Sequence, residues 1–271
     1  PIVVSAAEFT LYYADVVSPG TVVIAISQSG QSGDVVSSVY EAKLRGATIL
    51  GITNFIGSRL ANMSNLYLPI GAGPELAVPA TKTFVSTLLL LYMLSMAVGR
   101  YRGRIQESDI RLALDSAKKL SRDLEERIPI LEHFAEKAAK VLQRCVSGYV
   151  VSRGLTYPLA LEGALKFKEV AYMHAEGVEA GEYRHGPQVL LDKNFFVVFI
   201  MPTEKTALEA SYSLIDVAAE RGAETVVIGF EHDRKILSLG ERIAVIPAPS
   251  TTRHLAPISL AVPLYLTVYK L

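Results

Sequence analysis

The sequence predicts an α/β protein built from two tandem doubly wound parallel-sheet domains joined by helices. Three observations lead there. Short β-branched runs alternate with longer helical patterns along most of the 271 residues, the pattern of βαβ units whose parallel sheet is covered on both faces. One stretch, 105–144, is charged and purely helical in pattern. Finally, a strand–helix–Arg-Gly-Ala–strand module occurs twice. A strand at 22–26 leads to Arg45-Gly46-Ala47 and a strand at 48–51; a strand at 197–200 leads to Arg221-Gly222-Ala223 and a strand at 225–229. The shared glycine suits a helix that ends in the left-handed conformation. The repeat reads as two copies of one domain, at 1–104 and 145–271, with 105–144 as connecting helices.

In chain order, 2–5, 21–27, 47–53 and 66–70 read as strands. Gly33-Asp34 followed by Val35, Val36, Val39, Ala42 and Lys43 signals a helix between them. Val78-Pro79-Ala80-Thr81-Lys82-Thr83 opens a very apolar helix, with Pro79 in its first turn and Thr81 or Thr83 as cap. The apolar run 83–98 falls short of the ~20 residues of a membrane span, and Ser86, Thr87 and Ser95 interrupt it. It is expected to be a buried core helix, with no membrane association. The connecting region is expected as two helices, broken near Pro129. Strands resume at 146–151, 195–201, 224–229 and 242–246.

Composition excludes several function classes. Basic and acidic side chains balance at 27 each, with no Lys/Arg cluster, which argues against nucleic acid, whose phosphates demand many cations. The single cysteine, Cys145, rules out an internal disulfide and a Cys-rich zinc site; a small buried apolar role suits it. The His, Cys, Asp and Glu spacings match no metal site, no Gly-x-Ser-x-Gly elbow occurs, and no cofactor is called for. His174 is expected in packing. The N-terminus has no signal-peptide character, so a cytoplasmic location is expected. Because the chain begins in a strand-like segment and stops in a helix-like one, the natural protein is expected to extend at both ends.

Two constellations carry chemistry. Ser27-Gln28-Ser29-Gly30-Gln31-Ser32-Gly33-Asp34 follows a strand and precedes a helix, the ligand edge of an open parallel sheet. Hydroxyls, glycine-freed amides and the helix dipole make an uncharged anion pocket there. The plain alternative is a turn with Ser32 as a cap; the density of hydroxyls tips the reading to phosphate. No Gly-Lys-Ser/Thr follows, so a nucleoside triphosphate does not fit. In the second constellation, Glu162, Lys166 and Glu169 share one face of a helix over 157–169. An ordinary surface face with a weak Glu–Lys pair is the competing reading. The apolar remainder of the helix and the preceding Ser152-Arg153-Gly154 favour a packed face, where acid–base groups have their pKa values pushed apart. Further on, His185 sits in a stiff turn between Arg184 and Gly186-Pro187.

These residues resemble the tandem sugar-isomerase domains of the glutamine–fructose-6-phosphate aminotransferase family. The likeness rests on SQSGQS at 27–32, the stretch from Arg153-Gly154 through LEGALKFKEVAY to HAEG, and GEYRHGP at 181–187. It implies that Ser27, Gln28, Ser29 and Ser32 bind a sugar phosphate and that Val78 and Ala80 line the sugar pocket. It further implies that Glu169 moves a proton between C1 and C2, that Lys166 assists, that Glu162 supports them, and that His185 helps open the ring. The histidine enters from a neighbouring subunit in that family, so a homodimer with shared sites is implied. The chain departs from the family at Ala80, where serine is usual, and at Gln31-Ser32, where Glu-Thr is usual. The family's first strand with its Gly-Thr-Ser turn, its lysine-bearing C-terminal tail and its glutaminase domain have no match, and Lys270 does not stand at the tail lysine's position. The implied activity interconverts fructose 6-phosphate and glucosamine 6-phosphate. A related deaminase or deglycase, or a non-catalytic sugar-phosphate-binding regulator, are the alternatives.

Overall fold

The structure, a computed structural model, describes residues 1–240 and 243–271. The chain divides into two compact units, Pro1–Leu91 and Tyr92–Leu271.

The first unit is built on a parallel sheet of three strands, β1 (Val22–Ile26), β2 (Thr48–Thr53) and β3 (Leu66–Pro69), in the order β1-β2-β3. Helix α1 (Gly33–Leu44) connects β1 to β2, and α2 (Arg59–Met63) connects β2 to β3. Val39 and Ala42 of α1 pack with Ala25, Ile49 and Leu60 into one apolar cluster; successive strand side chains alternate faces, so only one face of each strand enters it. The strand expected at 2–5 does not form. Those residues are irregular, with Ile2 and Val3 exposed, and three short helical turns follow, Ala6–Glu8, Phe9–Tyr13 and Ala14–Val16. β-branched composition does not make a strand without a neighbouring ladder to bond with.

Helix α3 (Lys82–Tyr101) is 20 residues long and apolar enough, by length and composition, to cross a membrane. It is not the buried core helix expected from its leucines: Thr83 alone among its residues is buried.

The second unit opens with the rest of α3 and with α4 (Glu107–Leu142). The expected break at Pro129 is absent. Pro129 lies inside one continuous helix of 36 residues, whose buried Leu131, Ala135, Ala138 and Leu142 pack the chain beyond the proline against the sheet's last strand and the C-terminal helix. A proline costs a helix roughly 3 kcal/mol, which this packing offsets.

The sheet of this unit has five parallel strands in the order β5-β4-β6-β7-β8: β4 (Ser147–Ser152), β5 (His174–Glu179), β6 (Phe195–Ile200), β7 (Glu224–Phe230) and β8 (Ala244–Ala248). The expected strand at 242–246 is realised as β8, and Arg242 lies outside the described residues. Helices α5 (Tyr157–Val170), α6 (Lys205–Glu220), α7 (Arg234–Leu239) and α8 (Ala256–Tyr269) complete the layers. On one face Tyr149, Val197, Phe199 and Val227 meet Ile215 and Ala218 of α6 and Ile236 of α7. On the other, Phe196 meets Phe167 of α5, with ring centroids 4.9 Å apart. Burial on both faces is why β6 reads Phe-Phe-Val-Val-Phe-Ile rather than alternating. The edge strand β5 went unpredicted because His-Ala-Glu-Gly-Val-Glu is too polar to signal a strand; His174, expected in packing, opens it and is exposed.

Candidate active site

The sequence-selected residues fall into two sets, one in each unit. In the first unit the turn after β1 is organised by its own hydroxyls. Ser27, buried, places its Oγ 3.0 Å from Ser32 Oγ and accepts a bond from the Gly30 amide at 3.1 Å. Ser29 Oγ accepts from the Gln31 amide at 3.2 Å. Ser32 precedes α1 but makes no capping bond through its side chain, so the plain capping role does not hold. Gly33 and Asp34, which open α1, are exposed beside Ser29, Ser32 and the half-buried Gln28, and the first-turn amides of a helix favour an anion.

Gly30 makes this turn possible. Its φ is +62°, and a β-carbon there would stand 2.6 Å from Ser58 Cβ and 2.7 Å from Thr53 Oγ1. Those two buried hydroxyl residues, at the end of β2 and the cap of α2, form the floor of the loop. No sequence motif singled them out; the signal available was a hydroxyl at the carboxyl end of the neighbouring strand.

Val78 and Ala80 lie on the segment between β3 and α3, where Val78 is exposed and Ala80 half-buried. The helix that follows is not capped by Thr81 or Thr83, as the sequence led us to expect. The Glu75 carboxylate occupies that place: it accepts from Thr83 Oγ1 at 2.6 Å, from the Thr83 amide at 3.2 Å and from the Thr81 amide at 3.4 Å. Burial pushes the Glu75 carboxyl up, but the Thr83 and Thr81 bonds and the charge of Lys82 outweigh it and hold the group below the usual range.

In the second unit α5 turns its charged face inward. The Lys166 side chain is 3% exposed; its Nζ donates to Glu169 Oε2 at 2.5 Å and lies 3.5 Å from Glu162 Oε1. Glu162 Oε1 also accepts from the Tyr265 hydroxyl of α8 at 2.9 Å. Meanwhile Leu161 and Leu165 of the same helix are exposed. This reversal of the usual rule settles the choice left open by spacing: Glu162, Lys166 and Glu169 are not an ordinary surface face. Burial raises the Glu162 pKa, partly offset by the Lys166 charge and the Tyr265 bond. Two carboxylates thus share one buried ammonium. Tyr265 carried no sequence signal, because its partner is 103 residues away.

His185 is exposed in the turn after the one-turn helix Ala180–Tyr183 and makes no side-chain hydrogen bond or ion pair among the described residues. The structure therefore does not bring it to the Glu162–Lys166–Glu169 cluster through a direct contact. Lys270 pairs with Glu136 of α4 at 3.4 Å. Among the described residues no three His, Cys, Asp or Glu side chains are grouped as a metal site.

At the carboxyl edge of the second sheet lies a cleft of about 440 Å³ lined by Arg153, Gly154, Glu179, Glu204, Thr206 and Ala207. Its charges are already paired, Arg153 with Glu179 at 3.1 Å and Glu204 with Arg253 at 2.8 Å.

The family model described as "SIS domain" matches residues 2–97 and 142–271. A glutamine–fructose-6-phosphate aminotransferase (isomerizing) of Thermococcus kodakarensis is 36% identical over 271 residues, covering 100% of this chain and 44% of the relative. The chain thus spans less than half the length of that curated relative. Among solved structures, the C-terminal domain of glucosamine-fructose-6-phosphate aminotransferase from Francisella tularensis superposes with a TM-score of 0.87 at 26% identity, covering 98% of this chain and 73% of that one. A glucosamine-6-phosphate deaminase from Thermotoga maritima shares the fold, with a TM-score of 0.72 at 23% identity over 97% of this chain and 73% of that one.

Proposed function

Because the chain belongs to the SIS domain family, we propose that it is a sugar-phosphate isomerase or aminotransferase interconverting fructose 6-phosphate and glucosamine 6-phosphate. The observation that carries this reading is the buried Lys166 between Glu162 and Glu169. Glu169 takes the proton from C1 or C2 and returns it to the other carbon. With ammonia condensed at C2 as an imine and water released, the Lys166 ammonium, beside Glu169, stabilises the C1 oxygen that gains charge as the enolamine forms; with the sugar alone the same proton transfer passes through the enediol. Glu162, held by Tyr265, keeps Lys166 in position and stays off the reacting carbons. Ser27, Gln28, Ser29 and Ser32 receive the phosphate, and Val78 and Ala80 line the sugar. His185 opens the ring from a second copy of the chain, in a cytoplasmic homodimer with shared sites that acts without membrane or nucleic acid.

The test is to incubate the full chain with fructose 6-phosphate and ammonia, and separately with glucosamine 6-phosphate, and to follow C1 and C2 proton exchange in heavy water. Glu169→Gln should lower the rate by about 10²–10⁴-fold. Absence of exchange and of product with either sugar, or an unaffected Glu169→Gln variant, would sink the reading. Conversion of glucosamine 6-phosphate alone would favour the deaminase or deglycase alternative.

A further inference from the structure

The phosphate loop and the segment that carries Val78 and Ala80 belong to different connections of the first sheet, and one residue bonds to both. Asn54 follows the last residue of β2. Its amide donates to the Gln28 carbonyl in the phosphate loop at 3.0 Å. Its side chain reaches the other way: Nδ2 donates to the Gly73 carbonyl at 2.7 Å, and Oδ1 accepts from the Ala72 amide at 3.1 Å.

The need for that side chain follows from the backbone. The ladder between β2 and β3 ends with Thr53 opposite Pro69. The chain then turns through Gly71 and Gly73, at φ +72° and +68°, which removes Ala72 and Gly73 from any strand pairing. Asn54 meets two of the groups so left, the Ala72 amide and the Gly73 carbonyl, and a carboxamide is the side chain that supplies an acceptor and a donor together. Aspartate would satisfy only the amide. Glu75 fixes the far end of the same segment through Thr81 and Thr83. The stretch between, with Leu76 and Val78 each 91% exposed, is thereby held at both ends by side chains rather than by packing.

We propose that Asn54 is a positioning residue for the sugar-phosphate site, setting the distance between the phosphate loop and the segment bearing Val78 and Ala80. The proposal rests on the site reading above. Its signature is a split: the phosphate loop keeps its bond from the Asn54 main chain whatever the side chain, so only recognition of the sugar depends on the carboxamide.

The experiment measures binding of fructose 6-phosphate and of inorganic phosphate to the full chain by calorimetry, with amide hydrogen exchange over residues 71–81. Asn54→Ala should weaken fructose 6-phosphate on the order of tenfold, as loss of two hydrogen bonds implies, speed exchange in 71–81, and leave inorganic phosphate within about twofold, inside the scatter of a single hydrogen bond. Asn54→Asp, which retains the bond from Ala72, guards against misfolding of the alanine variant and should fall on the same side. Equal fructose 6-phosphate affinity in the variants and the wild type overturns the proposal and leaves the site reading standing. Equal weakening of both ligands also overturns it. A wild-type chain that binds no fructose 6-phosphate overturns the site reading and this proposal with it.

Discussion

Replacing Gly30 by alanine tests the phosphate loop where its geometry is tightest. At φ +62° an alanine carries the left-handed penalty of about 1–2 kcal/mol. Its methyl also meets the Ser58 and Thr53 side chains well inside van der Waals contact. Both are buried, Thr53 fully and Ser58 at 3% exposure, so neither swings away freely, and overpacking of this kind costs about 1–3 kcal/mol. The sum, about 2–5 kcal/mol, is a large share of the ~5–15 kcal/mol available to a domain. Urea unfolding followed by circular dichroism measures it. Gly33→Ala is the internal control: three residues on, with no positive φ and nothing within 4 Å of its would-be methyl, it should be neutral or stabilise by up to ~1 kcal/mol. If Gly30→Ala costs under ~0.5 kcal/mol, the size of an ordinary surface change, the loop is not pinned as described and its use as a preformed anion site loses its basis.

The remaining predictions concern buried polar groups of the second unit. Tyr183 is fully buried with a hydroxyl that has no partner among the described residues; Tyr183→Phe should leave stability unchanged or raise it by about 1 kcal/mol, and a loss beyond that would reveal a partner. Lys166→Met removes the ammonium and leaves Glu162 and Glu169 facing each other, which should cost about 3–5 kcal/mol at neutral pH; because one carboxyl must then take a proton, melts should show the deficit shrinking as the pH falls. In the wild type the folded-state pKa of Glu162 is raised, so its contribution is full below the unfolded value of ~4.3 and is lost as pH rises through the folded one. Glu162→Gln should therefore flatten the stability profile in that window, and an unchanged profile would refute the assignment. Burial, with the charges of Glu224 and Asp192, pushes the Cys145 thiol up to about 11; iodoacetamide at pH 8 should modify it only on unfolding, and rapid labelling of the native chain would contradict that.

How far the sequence reveals the fold depends on what each segment rests on. The run from Phe195 to Ile200 is legible because burial on both faces demands apolar residues without alternation. The segment at 2–5 has the same β-branched chemistry and forms no strand, since composition carries no information about a partner ladder. Pro129 invites a break by a local rule, and the packing of Leu131, Ala135 and Leu142 overrides it. Helix α5 is a divided case. Spacing puts Glu162, Lys166 and Glu169 on one face, but a helical wheel cannot say that this face points inward while Leu161 and Leu165 point out. Asn54 and Glu75 were invisible for another reason: Asn54's partners lie on a loop whose course is set by two positive-φ glycines, Gly71 and Gly73, and Glu75 reaches the start of a helix six to eight residues on, neither of them a periodic pattern.

The strand–turn–helix module that recurs in the sequence carries a different turn in each unit. In both units a strand runs to the sheet's carboxyl edge and a helix starts beyond it, the place where an anion is favoured. After β1 the turn is filled by serines, whose hydroxyls bond to one another and to the loop amides and leave the start of α1 open. After β6 the corresponding turn ends in Glu204, at the cap position of α6. Its carboxylate is bonded to Arg253 and to Thr203, and it lies so close to Gly154 that a β-carbon there would touch it at 2.8 Å. Burial raises its pKa, but the bonds from its own amide, Arg253, Thr203 and the Leu155 amide hold it below the usual range, so the charge persists at neutral pH. A phosphate brought to α6 would meet this carboxylate and its Arg253 partner, whereas one brought to α1 meets the serine turn, with Asp34 the acidic residue of the first helical turn. In the second unit, then, a carboxylate stands at the cap position of α6, and the buried cation is Lys166 on the inward face of α5.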